Sequence, residues 1–179
     1  MRKIDRDIVN YFIDNNMLYQ SKYYKNVVFV GYDGQQPAYA FKRSIYKNFK
    51  LDHAGSNKAF SFSYANTNSE AAIDLLSYMT ILKETNENFI TKNYLSLSGA
   101  NNQANGDIPI SLKSFLSRNP NIKTIIFHLD NDEVGTSATT YIMNRLKNKY
   151  HCVDQHPTKY KDVNEKLVNM KGAHREQTI

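Results

Sequence analysis

One stretch constrains the fold of this chain more than any other: Lys-Thr-Ile-Ile-Phe-His-Leu-Asp, residues 123–130, runs straight into Asn131, Asp132, Glu133, Val134 and Gly135. Its β-branched and aromatic content predicts a buried strand. Side chains alternate along a strand, so Asp130 and Asp132 are expected to project the same way, at its carboxyl end. Open α/β sheets place their ligands at that edge. Two carboxylates so close repel each other unless a cation lies between them. Mg²⁺ takes hard oxygen ligands, often one or two carboxylates completed by water and phosphate. Gly135 then allows a tight turn into a helix over 134–149, where Ala138, Ile142 and Leu146 fall in register. A plainer reading is a solvated turn in which Asp130 or Asp132 caps that helix.

The surrounding sequence supplies the rest of such a fold. Residues 70–84 read as a helix with Ile73, Leu76 and Tyr78 to Leu82 on its apolar side, and 94–98 as a short strand ending at Gly99. Residues 99–107 are a polar loop, and a helix opens at Pro109 and closes at Asn119-Pro120. Residues 151–156 read as a strand and 163–170 as a last helix, with a polar, frayed tail after Gly172. Helices alternating with strands predict a mostly parallel sheet with helices on both faces. Two further acids could meet Asp130 and Asp132 at its edge. Glu70 opens the first helix and Asp162 follows the last strand. Each has a simpler reading, because Thr67-x-x-Glu70 has the form of a capping box and Lys161-Asp162 that of an ordinary helix start.

Before Glu70 the pattern differs. Ile4, Ile8, Tyr11 and Phe12 predict an amphipathic helix over 4–16. In 26–43, two β-rich runs flank Asp33-Gly34, a hairpin signal. Residues 44–58 read as a loop with a turn at 55–58, and 59–64 as a strand. The expected organisation is a small basic α+β domain over 1–65 and an α/β domain over 66–179.

The charge is uneven. Residues 1–65 hold ten Lys/Arg against five Asp/Glu, and 66–179 hold thirteen against twelve, within a total of +6. A basic excess in the first third points to an acidic partner, nucleic acid foremost, although a plain solvated surface would also account for it. Residues 22–25 and 39–50 interleave cations with Tyr and Phe. Such mixtures suit single-stranded nucleic acid, because cations meet phosphates and rings stack on bases. Lys22, Tyr23, Lys25, Lys42, Arg43, Lys47 and Lys50 are the candidates. Tyr39 and Phe41 read instead as core and cross-strand pairs of a small sheet.

Composition excludes several classes. The single cysteine, Cys152, rules out a disulfide framework and a cysteine-based zinc site. It reads as a small residue buried in a strand. His128 reads as a core residue, and His53, His151, His156 and His174 show no ligand spacing. No apolar run reaches the ~20 residues of a membrane span. The opening MRKIDRD lacks the apolar segment of a signal peptide, so the expected setting is the cytoplasm.

Taken together, the motifs resemble the Toprim fold of primases, type IA and II topoisomerases and some nucleases. More closely, the chain resembles Toprim-like proteins of Gram-positive mobile elements, which carry a small N-terminal domain of unknown function. The N-terminal likeness lies in residues 18–20, 26–43 and 55–63. The C-terminal likeness lies in EAAIDLLSY (70–78), YLSLSGA (94–100), HLDNDEVGTSA (128–138) and KDVNEKL (161–167). The resemblance implies Mg²⁺ held by Asp130 and Asp132, Asp162 as an auxiliary ligand, and Glu70 as general acid or base; Lys161 joins the candidates for binding nucleic acid. The implied chemistry is metal-assisted phosphodiester making or breaking. In the family this Glu follows an apolar strand directly, whereas here Thr67-Asn68-Ser69 precedes it.

Two functions are therefore expected. One is an Mg²⁺-dependent, primase-like or nicking domain of a mobile genetic element, working with protein partners from a replication, mobilisation or host-defence system. The other is a catalytically degenerate Toprim-fold binding protein, such as a phage or mobile-element inhibitor of a host nucleic-acid enzyme.

Overall fold

The computed structural model describes residues 2–46, 49–66, 70–73, 75–97 and 107–176, with the backbone alone at 70–73 and 173–176. It opens with helix α1 (Arg6–Asp14), capped by Asp5, whose side chain accepts the Asp7 N–H. Ile8 and Phe12, one turn apart, are completely buried, as the apolar spacing over 4–16 predicts. An antiparallel sheet follows in chain order: β1 (Leu18–Gln20), β2 (Val27–Asp33), β3 (Gln36–Arg43) and β4 (Lys50–Asp52). Asp33 and Gly34 turn the β2–β3 hairpin, Gly34 with φ +56°.

Two local expectations here need correction. β4 lies inside the expected loop 44–58, where three residues too few to show a pattern are recruited by pairing with β3. Residues 59–64 are not one strand. A 3₁₀ turn (Lys58–Phe60), capped by Asn57, precedes the two-residue β5 (Ser63–Tyr64). That turn lies directly on β2, because a Cβ at Gly31 would sit 1.7 Å from the Phe60 carbonyl oxygen.

The remaining elements are β6 (Glu70–Ile73), α2 (Leu76–Glu84), β7 (Asn93–Leu95), α3 (Ile110–Arg118), β8 (Thr124–Phe127), α4 (Glu133–Leu146), β9 (His151–Asp154) and α5 (Val163–Glu176). They build a second sheet in the order β5-β7-β6-β8-β9, parallel except for β5 at its edge. The expected α/β architecture is thus present. The helix expected over 70–84 is instead a strand followed by a helix. Glu70 to Ile73 pairs with both β7 and β8, and α2 begins only at Leu76. A capping role for Glu70 is therefore excluded, since it lies in a strand. The loop expected over 99–107 falls, up to 106, outside the described residues. The expected frayed tail is helical as far as Glu176.

Alternation along β8 divides the core. Ile125 and Phe127 pack with Leu112, Phe115, Leu116, Ile142 and Leu146 of α3 and α4. His128 turns to the other face, where its ring lies 4.0 Å from that of Tyr78 in α2. On that face Ile81 of α2 packs against Val163 and Leu167 of α5. A further cluster joins Ile8, Phe12 and Leu18 to Phe62, Leu75, Met79, Leu82 and Tyr94. The apolar core therefore runs across the expected division at 65/66.

Candidate metal and nucleic-acid site

β6 leads to β7 on one side of the sheet, and β8 pairs on its other side. The strand order reverses there, and such a switch point opens a crevice at the carboxyl ends of the strands. The acidic segment after β8 lies at that edge.

Asn131 anchors it. Its backbone N–H donates to the Lys161 carbonyl at 2.6 Å, and its side-chain amide donates to the carbonyls of Thr158 and Tyr160, both at 3.3 Å. These bonds hold the end of β8 against the loop that leads into α5, so Asp162 comes beside Asp130 and Asp132. Asp132 caps α4 by accepting the Gly135 N–H at 2.8 Å. Asp162 accepts the Glu165 N–H at 2.7 Å, at the start of α5. The plainer reading of these two aspartates, as helix caps, is therefore observed. Each cap engages Oδ1, and no hydrogen bond among the described residues engages Oδ2 of either.

Asp130 has neither hydrogen bond nor ion pair among the described residues. The residue as a whole is exposed, yet its pKa is raised above the ordinary aspartate value. Local desolvation is the largest cause, and the negative charges of Asp162 and Asp132 add to it. Lys161 and Lys50 oppose the rise. Asp132 and Asp162 thus lie within electrostatic range of Asp130. Among the described residues, no three His, Cys, Asp or Glu side chains gather into a group that could hold a metal ion. An open set of carboxylate oxygens fits Mg²⁺, which keeps water or phosphate in its shell, better than an ion that needs a full protein cage.

Gly135 is required for a reason other than turn flexibility. A Cβ there would lie 2.0 Å from the Asp130 carbonyl oxygen, so the first turn of α4 sits against the backbone of the acidic segment.

Glu70 is not brought to this edge. It is the first residue of β6 and pairs with Thr124, the first of β8. At ~3.3 Å per residue, its backbone lies about 10 Å along the strand direction from the last residue of β8, Phe127, which itself precedes Asp130 by three residues. The preceding segment contains no apolar run, so Glu-Ala-Ala-Ile itself becomes the strand.

The basic candidates share one end of the antiparallel sheet. Gln20 pairs with Val27, Val27 with Arg43, and Arg43 with Lys50, forming a single row. The turn carrying Lys22, Tyr23 and Lys25 leaves this row, as does the β3–β4 connection. Lys42 and Arg43 end β3, and Lys50 begins β4. Lys47 lies outside the described residues. Lys50, at this end, lies within electrostatic range of Asp130. Tyr39 belongs to the core, 2% exposed, and its hydroxyl donates to Asp52 at 2.7 Å.

Sequence reasoning missed Asn131, whose signal was its position between two aspartates on an alternating segment. It also missed the unpaired nitrogen of His128. The ring is buried and its Nδ1 donates to the Gln155 carbonyl at 3.0 Å, while the buried Nε2 has no hydrogen-bond partner among the described residues. Burial, the largest cause, pushes its pKa down to about 4.

Comparison with known proteins agrees with this architecture. The chain belongs to the Toprim-like family, whose profile matches residues 69–167. Residues 1–68 match DUF3991, described as a protein of unknown function. Two solved structures share the fold. The primase fragment of the bacteriophage T7 primase-helicase protein aligns with a TM-score of 0.64 at 15% identity, over 99% of this chain and 71% of that one. A DNA primase domain from Pseudomonas aeruginosa aligns with a TM-score of 0.54 at 14% identity, over 96% of this chain and 58% of that one. The chain thus spans little more than half of the Pseudomonas domain. No curated protein matches it. Among the described residues, no helix is long and apolar enough to cross a membrane.

Proposed function

We propose that this chain is an Mg²⁺-dependent nucleic-acid-processing domain, primase-like or nicking in its reaction. The observation that supports this reading is the position of Asp130 and Asp132 just after β8, at the switch point of a Toprim-like sheet, with the charge of Asp162 acting on Asp130. There Asp130 makes no ion pair among the described residues. Asp130 and Asp132 would hold the ion, with Asp162 as auxiliary. Once bound, the ion supplies Lewis-acid stabilisation of charge on a phosphate. Lys50 and Lys161, whose charges already reach Asp130, would hold phosphates beside it. Lys22, Tyr23, Lys25, Lys42 and Arg43 would bind the nucleic acid as it approaches. A mobile-element or phage setting, a cytoplasmic location and a protein partner from replication, mobilisation or defence extend this reading.

Calorimetric titration with Mg²⁺ and Mn²⁺ tests it. The wild type should bind, and Asp130→Asn/Asp132→Asn should not. Nicking and primer-synthesis assays should show the same loss. Metal binding and turnover unchanged in the double variant would overturn it.

One observation favours a second reading. Glu70 starts its strand at the edge opposite the aspartates, so the family's acid–base residue is separated from the metal-binding pair. A Toprim-like domain that has lost this juxtaposition would act as a binding protein, such as an inhibitor of a host nucleic-acid enzyme. It would form a stable protein complex that the two aspartate substitutions leave intact.

A further inference from the structure

Three tyrosines project from the end of the antiparallel sheet that carries Lys50. Tyr23 is 82% exposed, Tyr24 78% and Tyr46 75%. Tyr23 and Tyr24 lie in the β1–β2 turn and Tyr46 in the β3–β4 connection, both of which spring from the row Gln20, Val27, Arg43, Lys50. Their exposure does not come from want of a core, because Tyr39 of the same sheet is buried. A fold that could bury aromatic rings here has left three of them in water. Exposed aromatic surface of this kind marks a binding site.

The charges around them select the occupant. From residue 15 to residue 65 the sequence has seven Lys/Arg and two Asp. Asp33 lies in the hairpin turn at the sheet's opposite end. Asp52 is occupied by the Tyr39 hydroxyl and by Lys58 at 3.0 Å. The tyrosines therefore stand among Lys22, Lys25, Lys42, Arg43 and Lys50, with no unengaged carboxylate among the described residues of that end. Protein-docking surfaces are enriched in tyrosine but depleted of lysine. Rings interleaved with cations suit a polyanion with flat faces, which is nucleic acid. A protruding ring can stack only on a base whose face is open, and a duplex hides those faces.

We propose that Tyr23, Tyr24 and Tyr46 form a base-stacking platform that makes this domain selective for single-stranded nucleic acid and delivers the strand past Lys50 to the acidic edge. This rests on the nucleic-acid reading above, but not on its metal chemistry. Lys22, whose ammonium lies 5.6 Å from the Tyr23 ring centroid, would bring a phosphate beside the first stacked base.

The test is fluorescence anisotropy in EDTA, using a labelled mixed-sequence single strand and the duplex of the same sequence, on the full chain. The wild type should prefer the single strand. Tyr23→Ala/Tyr24→Ala/Tyr46→Ala should weaken single-strand binding by about tenfold or more and leave duplex binding unchanged. The corresponding Phe variants keep the ring and should stay within about twofold of wild type. Circular dichroism should show all variants folded, because none of these side chains is buried. Unchanged single-strand affinity in the alanine variant would overturn the proposal. So would equal wild-type affinity for both forms, or binding of neither, which would turn the patch over to a protein partner. EDTA separates the two proposals: stacking-dependent binding without Mg²⁺ titration in calorimetry would sink the metal reading and leave this one standing.

Discussion

His128 is the residue whose chemistry is least like its surroundings. It is 4% exposed, stacked on Tyr78, and has one ring nitrogen without a hydrogen-bond partner among the described residues. Protonating it would bury a charge with Lys166 and Lys92 adding repulsion, so its pKa falls from the ordinary 6.5 to about 4. Between those values the unfolded chain binds a proton that the folded chain refuses. Stability therefore falls as pH drops from 6.5 to 4 and levels off below, by roughly 3 kcal/mol for this one group. His128→Phe keeps the stacking and removes the titration. Its urea midpoint should depend less on pH across that window than the wild type's, with little difference in slope above pH 7. Parallel curves for the two proteins would show that burial of His128 is not what sets the acid limb.

At the scale of elements, the turn from β8 into α4 positions the acids, and its tolerances are narrow. Gly135→Ala would force a Cβ against the Asp130 carbonyl, with contacts at 2.0 and 2.9 Å to backbone atoms that cannot rotate away. A cost of about 1–3 kcal/mol is expected, together with loss of Mg²⁺ binding because the acidic segment must shift. Asn131→Ala removes only the side-chain bonds to Thr158 and Tyr160. It should lower stability less while still weakening Mg²⁺ affinity, as Asp162 is freed from its neighbours. Thermal unfolding and calorimetry on both variants check this, and full Mg²⁺ affinity in Gly135→Ala would refute it. These elements also show what the sequence made legible. The strand into Asp130, the helix after it and the hairpin at Asp33-Gly34 follow from strong local patterns, and all three are present. β4 and β5, with three and two residues, have no pattern to read and exist because a neighbouring strand supplies their hydrogen bonds. Residues 70–73 read as helix because Glu and Ala favour helices. Pairing on both sides by β7 and β8 overrides that local preference. Of the candidate site, the clustering of aspartates was legible, whereas the edge on which Glu70 stands depended on register and was not. The exposure of Tyr24 and Tyr46 was likewise invisible, since a core tyrosine and a protruding one look alike in sequence.

Across the whole molecule, the expected division at 65/66 separates charge but not the hydrophobic core, and the two family profiles meet at 68/69. Phe12 of α1 is fully buried, with its ring 5.2 Å from that of Phe62. It shares a cluster with Leu75, Met79, Leu82 and Tyr94 of the α/β part. Asp5 adds polar ties across the same boundary. Its N–H donates to the Thr80 hydroxyl at 3.1 Å, and its carboxylate pairs with Lys83 at 2.8 Å. β5, from the first segment, forms an edge of the second sheet. Such an arrangement should unfold as one cooperative unit, because opening either part exposes apolar surface of the other. Phe12→Ala tests it. Removing a buried phenyl ring costs about 3–5 kcal/mol, and the question is where that loss appears. In one cooperative unit, hydrogen exchange of the β2 and β3 amides and of the β8 amides should lose protection by the same amount, although β8 does not touch Phe12's cluster. If the two parts were independent, the β8 amides would keep their wild-type protection while those of the first sheet lost theirs. Equal loss would mean that the basic, aromatic end and the acidic edge are held in fixed register by a shared core, which a strand passing from one to the other requires.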